Sequence, residues 1–222
     1  MAVNKEAYTN LINELQQKNV TLVAVSKTKT VEDILELYKL GQKDFGENYV
    51  QELLEKQAKL PADIRWHFIG HLQSNKVKLI VPFIRLIHSV DSFKLLNEIN
   101  KQSQKINRVT NCLLQVHIAE EETKFGFDEK ELDETISKYA NMQMKNVEVK
   151  GLMGMASFTD DLNKVRNEFK YLRSLFDNHN KLQITNHKLQ TLSIGMSSDY
   201  KIAIEEGSNM VRIGSLLFGA RE

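Results

Sequence analysis

Cysteine, proline and long apolar runs are scarce in this sequence of 222 residues. Cys112 is the single cysteine, which excludes an intrachain disulfide and a zinc site built from cysteines. It lies in the apolar segment NCLLQVHI and is interpreted as a small buried side chain. No apolar run approaches the roughly 20 residues of a membrane-spanning helix, and the first ten residues lack a signal-peptide pattern. We therefore expect a soluble, cytoplasmic protein with no membrane role.

An excess of positive charge is also missing. Lysine and arginine number 30, against 29 aspartates and glutamates, whereas proteins that bind nucleic-acid backbones normally carry a positive surplus. We expect no nucleic-acid partner. With 41% apolar residues, the chain can form one sizeable core, so residues 1–222 are predicted to be a single domain. In the absence of an obvious exposed apolar stripe, a monomer is expected.

Eight short segments, most of them rich in β-branched and aromatic residues, are predicted to be strands. They span residues 21–25, 43–48, 65–70, 85–90, 111–118, 147–155, 190–195 and 210–214. Between several of them, apolar residues recur at helical spacing, as in 31–38, 132–140 and 162–176. Thr30 and Asp33 resemble a capping box, and Gly41 lies where a helix C-cap is expected.

Strands that alternate with helices are parallel and are joined by crossovers. The predicted fold class is therefore α/β, a single (β/α)8 barrel of the TIM type. An open doubly wound sheet is the alternative, but no GxGxxG follows any strand. An amphipathic segment around residues 8–15 precedes the first strand. We expect this extra N-terminal helix to cover the barrel where a last helix would pack.

Five of the ten glycines fall at or near the carboxyl ends of predicted strands: Gly46, Gly70, Gly154, Gly195 and Gly214. Glycine permits an unusual turn or close approach by a ligand. Ligands bind at this face in barrels of this type. The sequence therefore predicts the binding site at the C-terminal rim.

The stretch VAVSKTKT carries an apolar strand directly into two lysines. Val23, Val25 and Lys27 lie on one face of the strand, which points into a barrel. Partial burial, together with like charge from Lys29, would favour the neutral amine, which can attack an aldehyde. The strand alone is explained equally well if both lysines lie at the rim with their ammonium groups in water.

The last two strands favour the first interpretation. Arg212 lies in a short apolar strand and requires a partner. Residues 214–218 are predicted to open a helical turn that can receive an anion, and residues 195–199 form a matching set. Loops after the seventh and eighth strands are the common phosphate site of this architecture. A lysine opposite a phosphate site indicates a phosphorylated aldehyde, a requirement that pyridoxal phosphate meets.

Seven motifs resemble the pyridoxal phosphate homeostasis protein family, small relatives of the alanine racemase N-terminal barrel domain. They are AVSKTK, FGENYVQE, WHFIGHLQSNK, HSVDS, KGLMGMA, LSIGMSSD and MVRIGSLLFGAR. The resemblance runs from about Leu22 to Arg221. It implies an intracellular protein that binds pyridoxal 5'-phosphate and buffers the supply of this form of vitamin B6, without robust catalytic turnover. We expect apoenzymes that receive the cofactor as its partners.

The resemblance also implies the roles of individual residues. Lys27, the first lysine of SKTK, would hold the cofactor as a Schiff base, and Arg212 would face its pyridine nitrogen. The phosphate would be held by residues of the last two turns, namely Ser197, Gly214 and Ser215, with Ser198 assisting and Met196 beside them. Asn48 is expected to line the pocket.

Two departures from the family pattern concern the mouth of the pocket. Lys124, Phe125 and Gly126 stand where Lys-Ser-Gly is expected, and Ser157 stands where many relatives carry proline. Neither departure touches the lysine or the phosphate turns.

Other functions leave different signatures. A racemase of the alanine racemase type requires a second base on the other face of the substrate, usually a tyrosine, and only Tyr49 lies beside a rim motif. An arginine opposite the pyridine nitrogen also weakens the ring as an electron sink. A class I aldolase would share the lysine and the phosphate site but not the family motifs. His67 and His71 straddle a strand end and are interpreted as structural or pocket-lining residues, with no metal site expected.

Overall fold

The computed structural model describes residues 3–121, 125–182 and 188–219, without the side chain of Leu182. Three residues named in the sequence patterns, Lys124, Ala220 and Arg221, lie outside the described residues.

Eight parallel strands close into a barrel in chain order, which confirms the predicted fold class. The strands are β1 (Thr21–Val25), β2 (Asp44–Glu47), β3 (Arg65–Phe68), β4 (Leu86–Val90), β5 (Thr110–Gln115), β6 (Val147–Met153), β7 (Thr191–Ser193) and β8 (Met210–Ile213). Pairing of β1 with β8 closes the ring, with Val23 opposite Arg212. Most strands end before the predicted boundary, and the residues that follow form the rim loops.

Helices connect the strands on the outside of the barrel. They are α1 (Lys5–Gln17), α2 (Val31–Lys39), α3 (Val50–Lys59), α4 (Val77–Ile80), α5 (Phe93–Lys105), α6 (Glu129–Asn141), α7 (Leu162–Leu182), α8 (Tyr200–Glu205) and α9 (Ser215–Phe218). Among the residues described, none of these helices combines the length and apolarity needed to cross a bilayer.

Local sequence explains how α1 and α2 begin and end. Helix α1 packs against β1 and α9, the position expected for the extra N-terminal helix. In α2, Thr30 and Asp33 form the predicted capping box. Gly41 follows the helix with a φ of 103°, a conformation that favours glycine.

The side chains of each strand alternate between two layers. Leu22 and Ala24 of β1 belong to the apolar layer between barrel and helices. Val23 and Val25 therefore point into the barrel, as predicted. A small apolar cluster of Leu86, Leu113 and Met153 occupies the interior. The same interior also contains buried polar groups, which extend toward the C-terminal rim.

Candidate cofactor-binding site

Lys27 lies in a tight turn directly after β1 and is half-buried. The next residue, Thr28, has a φ of 65°, which is uncommon for a β-branched residue. The turn closes with a hydrogen bond from the Lys29 N–H to the Ser26 carbonyl, at 3.0 Å. The backbone that carries Lys27 is therefore held in a conformation that it would not favour on its own.

A charge cluster of the buried Glu47 and Lys56 and the half-buried Glu52 supports this turn from the outside of the barrel. The Lys56 ammonium donates to the Ser26 carbonyl at 2.7 Å, to Glu47 Oε1 at 2.8 Å and to Glu52 Oε1 at 2.7 Å. The Ser26 hydroxyl donates to Glu47 Oε1 at 2.6 Å, and the Thr28 N–H donates to Glu52 at 2.5 Å. Each peptide flanking Lys27 is thus tied to this cluster.

Burial dominates the electrostatics of Glu47, whose side chain is fully buried. Burial raises the pKa of this carboxyl group above its ordinary value, although Lys56 and Ser26 act in the opposite direction. Its second oxygen, Oε2, has no hydrogen-bond partner among the described residues. Sequence reasoning missed this cluster; the available signals were a glutamate in an otherwise apolar strand and the i,i+4 spacing of Glu52 and Lys56.

Lys29 ties the same turn to the end of the chain. Its ammonium donates to the Phe218 carbonyl at 3.1 Å, near the C-terminus of α9. The contact is to backbone, so Lys29 helps to fix the β1 turn against α9. Its expected influence on the charge of Lys27 stays a prediction.

The loops after β7 and β8 meet beside this turn. The Gly214 N–H donates to the Ser197 hydroxyl at 3.3 Å, which joins the two loops. Ser215 is the first residue of α9 and is exposed, as is Ser198, whereas Met196 and Ser197 are half-buried. Since β8 pairs with β1, these turns lie next to the one that carries Lys27. Seven of the eight predicted site residues, all but Asn48, thus belong to β1, β7 and β8 or the turns that follow them.

Gly195 shapes the β7 turn and offers a stability test. Its φ is 98°, and an added Cβ would lie 2.7 Å from the Ala203 Cβ. In Gly195→Ala this clash adds to the backbone strain, which alone costs about 1–3 kcal/mol. We therefore expect the free energy of unfolding to fall by more than the strain alone would cause. Gly41→Ala is the matched control, because Gly41 also has positive φ but nothing within 4 Å of its added Cβ. Equal losses for the two variants in urea unfolding would show that the Ala203 contact is unimportant.

Arg212 lies inside the barrel and donates to the neighbouring strands. One guanidinium nitrogen donates to the carbonyl and to the hydroxyl of Ser193, both at 2.7 Å, and the other to the Gly154 carbonyl at 2.9 Å. Burial lowers the pKa of Arg212 to about 10, with Asp199 acting in the opposite direction. The guanidinium is therefore charged at neutral pH and fixed in place.

A chain of hydrogen bonds runs from Arg212 toward the other end of the barrel. Ser193 Oγ lies 3.2 Å from His88 Nδ1, His88 Nε2 lies 2.9 Å from His67 Nδ1, and His67 Nε2 lies 2.9 Å from Asp44 Oδ1. A guanidinium can only donate, so the Ser193 hydroxyl accepts from it and donates to His88. His88 Nε2–H then donates to His67 Nδ1, and His67 Nε2–H donates to the Asp44 carboxylate.

The protonation states along this series of hydrogen bonds agree with donation toward Asp44. Burial lowers the pKa of His88 well below its ordinary value, and His67 and Arg212 lower it further, so His88 is neutral. Burial acts to raise the pKa of Asp44, but hydrogen bonds and charge from His67 and Arg65 outweigh it, and the net pKa is lowered. His67 is thus hydrogen-bonded through both ring nitrogens, and its interpretation as a structural or pocket-lining residue stays a prediction.

The rim above β2, β3 and β5 is partly aromatic. Asn48 follows β2, and its buried Oδ1 has no hydrogen-bond partner among the described residues. Tyr49 is 60% exposed. The rings of His71 and Phe125 stack with centroids 4.2 Å apart, and His71 Nδ1 lies 2.8 Å from Asp91 Oδ2. Phe125, one of the departures from the family pattern, thus covers His71 on one side of the mouth.

Ser157, the other departure, anchors the loop after β6. Its N–H and its hydroxyl both donate to the Glu168 carboxylate, at 2.7 and 2.5 Å. Proline at this position would lose the first of these bonds because it has no N–H. Serine therefore ties the loop to α7 by a contact that proline cannot make.

Comparison with known proteins places this barrel in a class. Residues 3–222 match the model of the family described as alanine racemase, N-terminal domain. The chain is 44% identical over 202 residues to the pyridoxal phosphate homeostasis protein of Aquifex aeolicus, covering 90% of this chain and 87% of the relative. It is 41% identical over 212 residues to the Homo sapiens protein of the same name, covering 90% and 76%.

A solved structure agrees with the sequence comparisons. PipY of Synechococcus elongatus, solved with pyridoxal phosphate bound, is 34% identical and superposes with a TM-score of 0.87 over 96% of this chain and 99% of PipY. The chain therefore belongs to the alanine racemase N-terminal domain family and, within it, to the pyridoxal phosphate homeostasis proteins.

Proposed function

We propose that this protein binds pyridoxal 5'-phosphate reversibly through a Schiff base on Lys27 and takes part in intracellular pyridoxal phosphate homeostasis without robust catalytic turnover. The observation that carries the proposal is the meeting of the Lys27 turn with the Ser197 and Gly214 loops at one rim of the barrel. The bound cofactor of PipY, at 34% identity over nearly the whole chain, supports it.

The residues of the last two turns fit a phosphate group. The Ser197 hydroxyl accepts from the Gly214 N–H, which leaves its own proton to be donated to an anion. The first N–H groups of α9 have no partner within the helix, and Ser215 is the first residue of this helix. Ser198 is exposed and can contribute a further hydroxyl, and Met196 lies half-buried beside it.

Arg212 and Asn48 fit the ring of the cofactor. Arg212 holds its proton at neutral pH, since its pKa is about 10, and can only donate to a ring nitrogen. The buried Asn48 Oδ1 has no donor among the residues that the structure describes, and a hydroxyl group on a ligand would supply one. When bound, the cofactor supplies the aldehyde that Lys27 captures and a ring that can accept electrons.

The same residues favour a carrier over a racemase, which is the alternative. Arg212 cannot give up its proton to the ring nitrogen, so the ring stays a weak electron sink. Tyr49, the tyrosine considered as a second base, is 60% exposed and lies at the start of α3. Arg212 and Tyr49 thus both weaken the case for rapid removal of an α-proton.

The proposal is tested in two measurements on one preparation. Protein loaded with pyridoxal phosphate is mixed with an apoenzyme that requires this cofactor, and recovery of the apoenzyme's activity is followed against free cofactor at equal concentration. We expect visible absorbance of the loaded protein and transfer of the cofactor to the apoenzyme. Failure of the protein to load, or to release cofactor, would reject the carrier function.

The second measurement incubates the loaded protein with L-alanine or D-alanine in heavy water. We expect α-proton exchange no faster than with free pyridoxal phosphate. Faster exchange that disappears on substitution of Lys27 would instead establish the racemase-like activity.

A further inference from the structure

The opposite, N-terminal mouth of the barrel contains a cavity of about 350 Å³. It is lined by residues at or near the starts of the strands, with His67 and Asp44 among them. Binding cavities for small molecules span roughly 300–1,000 Å³. The volume therefore suits a molecule of few atoms and exceeds what a single water needs.

Positive charge exceeds negative charge around this cavity. Arg65 pairs with Asp44 at 2.5 Å, and Lys150 pairs with Glu148 at 2.7 Å. Arg85 lines the same cavity and makes no side-chain hydrogen bond or ion pair with any other residue in the described part of the chain. Of the three cations that line the cavity, Arg65 and Lys150 thus have carboxylate partners among the described residues and Arg85 has none. The like charges repel one another unless an anion joins them.

Neutral donors complete the lining. The side-chain amides of Asn111 and Gln190 border the cavity, and neither is hydrogen-bonded to another described residue. Amide groups and a guanidinium together provide several N–H donors in a concave site. Such a set matches the acceptor oxygens of a carboxylate or phosphate, whereas a metal cation would meet net positive charge.

We propose that the N-terminal mouth is a second binding site, which takes a small oxyanion bearing carboxylate or phosphate groups. Arg85 forms the principal ion pair with it, and Asn111 and Gln190 donate hydrogen bonds. Residues at this face of a barrel usually serve stability. Arg85, which is exposed, and the two amides make no side-chain hydrogen bond or ion pair with the described residues, so no such role is seen for them. The site lies at the other end of the interior from Lys27 and is separate from the proposed cofactor site.

The test uses the full-length protein without added cofactor, titrated calorimetrically with succinate and, separately, with inorganic phosphate at low ionic strength. We expect saturable binding of one anion per protein molecule. Arg85→Gln should weaken the affinity at least about tenfold, which corresponds to about 1.4 kcal/mol. Arg85→Lys should restore part of the affinity, since it keeps the charge. Lys101→Gln, which removes an exposed charge on α5, should leave the affinity unchanged.

Phosphate can also occupy the proposed cofactor site, so a second variant separates the two ends. Ser197→Ala with Ser215→Ala should leave succinate binding intact. Three results would overturn the proposal: equal anion affinity in wild type and Arg85→Gln, a loss of anion binding confined to the double serine variant, or no saturable binding of either anion. Each of these results is independent of whether the protein binds pyridoxal phosphate.

Discussion

Lys27→Arg is expected to abolish covalent attachment of pyridoxal phosphate completely. Arginine keeps the positive charge and most of the length of the side chain. Its guanidinium stays protonated, however, and does not form a Schiff base. The measurement is visible absorbance after incubation with the cofactor, followed by borohydride reduction and mass spectrometry of the labelled peptide. In wild-type protein we expect the reduced label on Lys27 alone.

Lys29→Arg is the matched control, because Lys29 lies two residues away and undergoes the same chemical change. Its ammonium donates to the Phe218 carbonyl at 3.1 Å, a bond that arginine can also make. We expect Lys29→Arg to load and to be labelled as wild type. Label on Lys29, or full visible absorbance in Lys27→Arg, would show that a different amine holds the cofactor.

The positions of Lys27 and of the last two turns could be predicted because they depend on local patterns and on chain order. Alternating Val23 and Val25 indicated which side of β1 faces inward, and eight strand segments separated by helical spacing indicated a closed barrel. Barrel closure then places the end of β1 beside the end of β8. The capping box at Thr30 and the glycine at position 41 were predicted for the same reason, since each involves neighbours in the chain.

Contacts between distant strands could not be predicted in this way. The bonds from Asp44 through His67 and His88 to Ser193 join four strands, and their register depends on the tilt of the barrel, which the sequence pattern does not reveal. Strand ends were also predicted too late, as in 147–155 against Val147–Met153. The apolar character continues into the rim loops, so hydrophobic alternation does not mark where pairing stops.

Lys56→Met is expected to be the most destabilising of the proposed substitutions. It leaves the Glu47 carboxylate buried without its cation, and loss of one partner of a buried ion pair costs about 3–5 kcal/mol. Lys59→Met on the same helix removes an exposed charge and should change the free energy of unfolding by less than about 0.5 kcal/mol. Urea unfolding of both variants measures the difference. Similar values would show that the Glu47–Lys56 pair contributes nothing net.

The pH dependence of this loss follows from the sign of the Glu47 shift. Burial raises the folded-state pKa of Glu47 above its ordinary 4.5, so the folded state binds the proton more tightly than the unfolded state. Stability from this group is therefore fully present below the unfolded pKa and is lost as pH rises through the folded pKa. Without Lys56 the folded pKa should rise further. The destabilisation by Lys56→Met is thus expected to be smallest in acid and to grow toward neutral pH.

A second substitution distinguishes loss of the charge pair from loss of packing. Glu47→Gln removes the buried charge but keeps an oxygen that can accept from the Ser26 hydroxyl. In the Lys56→Met background it should recover part of the stability and remove the pH dependence. If the turn that carries Lys27 depends on the Lys56 bond to the Ser26 carbonyl, the double variant will remain folded yet load pyridoxal phosphate more weakly than Lys59→Met. Normal loading would mean that the bond from Thr28 to Glu52 suffices to hold the turn.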